Sequence, residues 1–432
     1  MRFVRTVFPL IALFLAVTFA AAQETDFRAE ARAAMARYEY SRAIELFEKA
    51  LETAAGDDAA IRDLSLQKAR CQKKMLRYDA AAETLASVMK PGMLDVEVAG
   101  ELADCHVSSG KLVDALSLYS LLSMQYPDNL YFSIQKASLL FKVNDFEGCA
   151  EEGMAICRRD SIPSILSLVG ASLLKIGQVD SSLAYYRKSL RLNPQNPGTV
   201  TSISNILLGR KDYDGVIDLT KGFLEEVPDN LSVEQILGVA YYLKDDQDNA
   251  YEVFKQLRKD GDESYGTMFY SGMNALSLNR FTVARECFGN AWQIDSTDAK
   301  LAANYAVSLF KDNMVQKNQI AAKRLLLRAV ELTDPDSVLM YKIHNGLAQL
   351  YYNASDVNNA LPHYEKAFSY YPEDKGLLVS IGYCHEVRKE YKAALQYYER
   401  YLKEGKENTK NWNFAKQAIA HIKGELHMQE KP

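Results

Sequence analysis

A small residue recurs along this chain near the start of successive amphipathic segments, at intervals of 33, 34 or 38 positions. An aromatic residue follows it by four positions in seven of eleven occurrences, and a proline follows it by twelve positions in four. Another small residue precedes it by twelve positions in ten occurrences. These eleven residues, here called the anchors, are Ala43, Ala81, Ala115, Cys149, Ser182, Val216, Ala250, Ala284, Ala322, Ala360 and Ala394.

Helix geometry accounts for each of these positions. Small residues on two antiparallel helices let the backbones approach closely, and an aromatic ring one turn after the anchor fills the space beside that contact. Proline ends the second helix because it lacks an N–H group and clashes with the preceding turn. One helix pair cannot bury its apolar face alone, so the pattern predicts helix hairpins that stack and share a core.

Composition and charge narrow the class of protein. The chain of 432 residues has only 11 prolines and 22 glycines, which favours long helices over short strands between turns. Its 51 basic and 56 acidic residues give a formal net charge of -5, and neither sign forms a long block. We therefore expect no binding to nucleic acid.

The 34-residue period and its small, aromatic and proline positions resemble the tetratricopeptide repeat over residues 24–408. The family's usual tryptophan is missing, and Gly153 and Thr220 stand where two repeats should carry the aromatic residue. Looser packing or a bend of the superhelix is expected there. The resemblance implies an all-α fold, a right-handed superhelical solenoid of about eleven helix-turn-helix repeats. It also implies a concave groove lined by the first helix of each repeat.

Four segments are predicted along the chain. They are a signal peptide at 1–22, repeats one to eight at 23–298, repeats nine to eleven at 299–408, and a C-terminal capping helix with a tail at 409–432. The amphipathic stretch 411–422 should cover the exposed apolar face of the last repeat. Each 38-residue interval contains four extra residues, near 54–58, 311–318 and 333–339. The first set is predicted to lengthen the connection between repeats one and two, and the second to lengthen the turn inside the ninth hairpin.

The first 22 residues have the features of a secretory signal peptide. Arg2 and Arg5 precede an apolar run at 7–19, and the small residues at 20–22 offer a cleavage site. The run is shorter than the ~20 residues that span a bilayer, which favours cleavage, although retention as a membrane anchor stays open. We expect an exported protein, most simply periplasmic, with an extracellular or envelope-associated location as the alternative.

Candidate catalytic and metal-binding residues are scarce. The six histidines include no pair at i, i+4, and no second Cys/His pair has the spacing of zinc ligands. Cys71, Cys105 and Cys384 share one inward-facing position of the first helix, which favours buried free thiols over disulfides. We therefore predict no enzyme activity, no cofactor and no metal site.

Basic residues near the N-terminus form the first candidate binding site. The resemblance places five of them on the groove: Arg28, Arg32, Arg70, Lys73 and Lys74. The spacing of Arg70, Lys73, Lys74 and Arg77 at i, i+3, i+4 and i+7 predicts a common helix face. Such a face could hold an acidic peptide or a terminal carboxylate. The alternatives are a solvated basic surface and neutralisation of Arg70 by Asp104.

A second candidate site lies closer to the C-terminus. Asn345, Gln349 and Asn353 recur at i, i+4 and i+8 beside Tyr352. Their amides can hydrogen-bond a peptide backbone or sugar hydroxyls, and the ring can stack on a ligand. Ordinary helix packing is the alternative for the tyrosine.

These patterns predict a non-enzymatic scaffold or adaptor of the bacterial cell envelope that binds a protein or peptide in the groove. The alternative is a periplasmic protein that binds glycan or peptidoglycan through the region of Asn345, Gln349 and Tyr352. The identity of the partner, the oligomeric state and the part of the groove that binds stay open.

Overall fold

Helices follow one another through the whole of the described chain, joined by short connections. The structure, a computed structural model, describes residues 27–312, 316–332 and 336–429. Within these ranges no β-strand is present, so the all-α prediction is confirmed. The predicted signal peptide at 1–22 lies outside the described residues.

The chain divides into two compact units, Met1–Ile206 and Leu207–Pro432. The described helices of the first unit are α1 (27–36), α2 (Tyr40–Thr53), α3 (Asp58–Lys74), α4 (Tyr78–Ala86), α5 (Val96–Ser108), α6 (Leu112–Gln125), α7 (Leu130–Lys142), α8 (Phe146–Arg159), α9 (Pro163–Lys175) and α10 (Val179–Leu192). The division falls inside α11 (Pro197–Gly209). The predicted boundary between repeats after residue 298 stays a prediction.

The second unit contains twelve further helices in its described part. They are α12 (Tyr213–Glu226), α13 (Leu231–Leu243), α14 (Gln247–Lys259), α15 (Tyr265–Ser277), α16 (Phe281–Ile294), α17 (Ala299–Lys311), α18 (Gln316–Leu332), α19 (Ser337–Asn353), α20 (Val357–Tyr370), α21 (Gly376–Val387), α22 (Tyr391–Glu404) and α23 (Lys410–Gln429). In each unit consecutive helices pack against each other, as stacked hairpins require.

The anchors form the centre of the packing. All eleven have no exposed surface. The ring predicted beside each contact lies on the small residue of the first helix: an added Cβ at Gly272 would lie 2.5 Å from Phe288, and one at Gly382 would lie 2.9 Å from Tyr398. The small and aromatic positions therefore interlock as predicted.

The aromatic positions taken by Gly153 and Thr220 are filled in other ways. The side chain of Val169, from the next hairpin, occupies the space over Gly153. Thr220 is fully buried and donates its hydroxyl to the carbonyl oxygen of Val216 at 2.8 Å. Neither position is an open space, contrary to the expectation of looser packing.

Each of ten hairpins turns through a residue with positive φ, always five positions before the anchor. The N–H of the following residue donates to a carbonyl five positions back at 2.7–2.9 Å, which is the bond of the Schellman motif. These turn residues are Tyr38, Leu76, Gly110, Asn144, Gly177, Lys211, Asp245, Asn279, Ser355 and Lys389.

The prediction that the first insertion lengthens a connection is wrong, and the third insertion also extends a helix. Helices α3 and α19 each have 17 residues, whereas α5, α7 and α9 each have 13. The connection before α3 is only residues 54–57. Four residues exceed the 3.6-residue helical turn only slightly, so the insertion extends the helix by one turn and nearly keeps its buried face. Helix α18 is also 17 residues long.

The last helix covers the end of the array, as predicted from 411–422. Helix α23 packs on α21 and α22 and buries Ala415, Ala418 and Ile422. These three residues recur at helical spacing, so they form one apolar face.

Candidate binding surfaces

The first helices of successive hairpins share one face in each unit. Direct contacts join α7 to α9, and α13, α15, α17 and α19 in sequence. Polar side chains on these helices therefore lie side by side, although they are about 34 residues apart in the chain. Both candidate sites lie on first helices, one in each unit.

The N-terminal cluster lines a pocket of about 580 Å³. Four of its five predicted residues are brought together there: Arg32, Arg70, Lys73 and Lys74. Arg28 does not line the pocket, and its Nε is buried without a hydrogen-bond partner among the described residues. Arg77 is not on the common face, because α3 ends at Lys74 and Arg77 begins the next helix as its N-cap.

Carboxylates of the neighbouring helix α5 neutralise most of this cluster. Arg70 binds Glu97 at 2.9 Å and Glu101 at 3.0 Å, and Lys73 binds Glu101 at 2.5 Å. Burial alone would raise the pKa of Glu101, but the hydrogen bonds from Lys73 and Arg70 outweigh it and lower that pKa. An incoming carboxylate would have to displace these bonds.

Arg70 is neutralised, but not by Asp104. Asp104 lies 3.8 Å from Lys73 and accepts a hydrogen bond from the hydroxyl of Tyr119 at 2.5 Å, whereas Arg70 pairs with Glu97 and Glu101. Lys74 is exposed and has no ion pair in the described part of the chain. Arg32 pairs with Asp63 of α3 at 2.9 Å.

The second candidate site contains a pocket of about 590 Å³ on α17 and α19. Asn345 and Gln349 line it, and the amide of Gln349 donates to Asn345 Oδ1 at 3.1 Å. Three exposed lysines also line it: Lys300 and Lys311, from α17, and Lys342, from α19. None of the three has an ion pair among the described residues.

One carboxylate, that of Asp336, also lines this pocket. Its Oδ1 accepts the backbone N–H groups of Val338 at 2.9 Å and Leu339 at 3.3 Å, as the N-cap of α19. The apolar side of the pocket includes Val307 and Leu350. The pocket thus combines an apolar wall with amides and cations.

Tyr352 and Asn353 do not line this pocket. The ring of Tyr352, 39% exposed, lies 5.5 Å from that of Tyr383 on α21, which in turn lies 6.1 Å from Phe414 on α23. Burial, followed by the contact with Tyr383, raises the pKa of Tyr352. These three rings form an aromatic row beside the pocket, and Asn353 is exposed at the end of α19.

The sequence did not reveal the lysines of this pocket. Lys300 lies 45 residues before Asn345 and on another repeat, so only the contact between α17 and α19 brings the two together. The available signal was the repeat period itself, which places both residues on first helices.

A pair formed by the buried His344 and the half-buried His363 was also missed. Nδ1 of His344 lies 2.9 Å from Nδ1 of His363, and their rings stack against Tyr370 and Tyr351. Burial, together with the charges of His363 and Lys366, lowers the pKa of His344 to about 4. The two histidines are 19 positions apart and meet only when the α19–α20 hairpin closes.

The cysteines and acidic residues of the described chain form no recognisable reactive centre. All six cysteines are free, and five are buried. No group of three or more His, Cys, Asp or Glu residues is placed to hold a metal ion within the described ranges. Among the helices described, none combines the length and apolar character needed to cross a membrane.

Comparisons with known proteins identify the repeats. Residues 164–196 and 345–409 match family models of the tetratricopeptide repeat. These two stretches are therefore tetratricopeptide repeats, which confirms the resemblance there. No curated protein sequence matches the chain significantly.

Two solved structures resemble the chain at low identity. One, from a functional characterisation of Pseudomonas aeruginosa pilF, is 15% identical, with 50% of this chain and 94% of that one covered and a TM-score of 0.41. The other is Naa15/Naa10 bound to HypK-THB, at 12% identity, with 92% and 66% covered and a TM-score of 0.38.

Proposed function

We propose that this tetratricopeptide-repeat protein is a non-enzymatic scaffold that binds an extended acidic segment of a partner protein in the pocket on α17 and α19. The repeats suggest a protein partner. The observation that supports this site is the pocket of about 590 Å³ in which Lys300 and Lys342 lack an ion pair with any described residue.

The lining matches the chemistry of an extended peptide. The amides of Asn345 and Gln349 can donate to and accept from a peptide backbone, because each carries both kinds of group. Lys300 and Lys342 supply charge-assisted hydrogen bonds to acidic side chains. The wall formed by Val307 and its neighbours takes an apolar side chain of the same segment.

The N-terminal pocket supports such binding less well. Its cations Arg70 and Lys73 already bind Glu97 and Glu101. A peptide carboxylate would replace an existing ion pair with a new one, so the binding free energy is only the difference between the two. In the pocket on α17 and α19, Asp336 is the one lining carboxylate among the described residues, and its Oδ1 already accepts two backbone N–H groups as a helix cap.

Binding of acidic peptides by fluorescence anisotropy tests the site. We expect the double variant Lys300→Glu with Lys342→Glu to weaken binding at least about tenfold, because two attractive contacts become repulsive. The matched control is Lys259→Glu with Lys392→Glu, which makes the same change in net charge on exposed lysines of α14 and α22. An equal loss in both double variants would show only a general effect of charge, and no loss in the first would contradict the proposal.

The proposed location is the bacterial cell envelope, most simply the periplasm. It rests on the basic start, the apolar run at 7–19 and the small residues at 20–22. The test is N-terminal sequencing of protein purified from its own cells, after fractionation. A mature chain that begins at Gln23 in the periplasmic fraction is the expected result, and an intact Met1 in the cytoplasmic fraction would contradict it.

Glycan binding is a second candidate, because of the aromatic row of Tyr352, Tyr383 and Phe414. Exposed rings stack on sugar faces, and the amide of Asn353 is within the same region. Binding on a glycan array that is lost in Tyr352→Ala, without any peptide binding, would replace the peptide proposal.

A further inference from the structure

A separate pocket lies on the second helices of the first unit, away from the face formed by the first helices. It has a volume of about 400 Å³ and is lined by residues of α8, α9 and α10. Arg158 from α8 and Arg191 from α10 both stand nine positions after their anchors, so the repeat places them at equivalent points of neighbouring hairpins. Lys188 of α10 lines the same pocket.

No described residue forms an ion pair with these three cations. No carboxylate lines the pocket, and Arg158 and Arg191 have neither an ion pair nor a side-chain hydrogen bond with any described residue. Lys188 lies over the ring of Tyr185 at 4.9 Å, a cation–π contact that leaves its N–H groups able to donate. Burial raises the pKa of Cys157, Lys188 lowers it, and Asp160, which is nearby but not part of the lining, adds a smaller upward shift. This differs from the N-terminal pocket, where Glu101 is part of the lining.

The wall of the pocket is apolar. Met154, Leu166, Leu192 and Tyr185 contribute to it, and Leu192 is 53% exposed. The pocket lies beside the connection between α8 and α9, which has three residues, 160–162, whereas the next connection of this kind has four, 193–196. This is the repeat with the single 33-residue interval.

We propose that this pocket binds an amphipathic anion, a phosphate or carboxylate group attached to an apolar chain. Arg158, Lys188 and Arg191 hold the anionic group by charge-assisted hydrogen bonds. The apolar chain lies against Met154 and Leu166, where its burial adds affinity that a bare anion lacks. The ligand can be a soluble molecule or the headgroup and first carbons of an anionic lipid.

Cys157 provides a direct measurement because it lines the pocket and is the one cysteine of the six that is not buried. Maleimide labelling of this thiol in the full-length protein should slow when the pocket is filled. We use hexyl phosphate as the probe, with inorganic phosphate and hexanol as its two halves. Hexyl phosphate should protect Cys157 at concentrations at which neither half does, and Cys157→Ser should remove the signal.

The double variant Arg158→Ala with Arg191→Ala should weaken binding of hexyl phosphate at least about tenfold by isothermal titration calorimetry. Arg187→Ala with Lys175→Ala is the matched control, since it removes two charges at exposed residues of α10 and α9 that do not line the pocket. Far-UV circular dichroism shows whether each variant is folded. Equal binding by the wild-type protein and the folded double variant, or no binding by the wild-type protein, would overturn the proposal.

A vesicle arm distinguishes the two sources of the ligand. Vesicles of equal parts phosphatidylcholine and phosphatidic acid should protect Cys157, in an Arg158- and Arg191-dependent way, if the natural ligand is a lipid. Protection by hexyl phosphate without protection by vesicles supports a soluble amphiphile. Both results support the anion site. If neither is observed, the proposal of peptide binding in the pocket on α17 and α19 is unaffected.

Discussion

Replacing glycine by alanine should change the free energy of unfolding in opposite directions at two positions inside helices of the second unit. An added Cβ at Gly272 of α15 would lie 2.5 Å from Cε1 and 2.7 Å from Cδ1 of Phe288, closer than carbon atoms approach without displacement. Gly222 of α12 has no atom within 4 Å of the same position and is exposed. Comparing the two variants therefore separates the effect of crowding against the Phe288 ring from the intrinsic effect of alanine on helix stability.

The expected sizes follow from two contributions. Replacing a helical glycine by alanine stabilises by about 0.8–1 kcal/mol, and this applies to both positions. Overpacking a buried contact costs about 1–3 kcal/mol, and this applies only at Gly272. We expect Gly222→Ala to raise the free energy of unfolding by about 1 kcal/mol and Gly272→Ala to lower it by about 1 kcal/mol.

Urea denaturation followed by circular dichroism at 222 nm measures the difference, and hydrogen exchange of the α15 and α16 amides locates it. A stack of repeats need not unfold in one step, so the exchange data show which hairpin is affected. Phe288→Leu gives a further check, because a smaller side chain should make room and reduce the cost of Gly272→Ala by about 1 kcal/mol. Equal stabilisation at both glycines would refute the proposed seating of the ring on Gly272.

Three further predictions concern the turns, the histidine pair and the basic pocket. Leu76→Gly should raise the free energy of unfolding by about 0.5–1 kcal/mol in urea titrations, because Leu76 has φ 59° and is 72% exposed. Gly177→Ala should lower the free energy of unfolding by about 1 kcal/mol, because Gly177 has φ 81°. The pKa of His344 is about 4 in the fold against an ordinary 6.5, so between these values the unfolded chain gains a proton that the folded protein does not. The free energy of unfolding should therefore fall by up to about 3 kcal/mol from pH 6.5 to 4, and His344→Asn should make the midpoint of urea denaturation depend less on pH. Glu101→Gln should strengthen binding of acidic peptides to the N-terminal pocket several-fold by anisotropy, since it releases Lys73; unchanged affinity would count against competition by Glu101.

The sequence was sufficient to locate the packing of the hairpins. The anchors are fully buried because a small side chain lets two helices approach closely where they cross. The period of the pattern equals the number of residues in one hairpin. Buried contacts of this kind are encoded by residue size, which a single sequence displays directly. The Phe288 ring and Gly272 could be paired for that reason.

The positions of the turns and the partners in the ion pairs could not be predicted from residue size. The turn position is defined by a positive φ, and it is filled by residues as different as Tyr38, Leu76 and Lys211, so residue type gives no consistent signal. The neutralisation of Arg70 depends on which residues of α5 face α3, and Glu97 and Glu101 lie 27 and 31 positions away. Only the register between the two helices decides that pairing.

The extra turn of α19 connects the repeat irregularity with the proposed binding pocket. Counted from its anchor, an ordinary first helix would begin at residue 341, so 337–340 are the added turn, and Val338 and Leu339 of that turn line the pocket. Deleting 337–340 restores the 34-residue interval and leaves Asp336 in place to cap the shortened helix. We expect the variant to keep its far-UV circular dichroism, because the remaining turns retain their buried face, while acidic-peptide affinity falls at least about tenfold with the loss of the pocket wall. A folded deletion variant that binds peptide as tightly as the intact protein would show that the insertion lengthens the helix without contributing to the site.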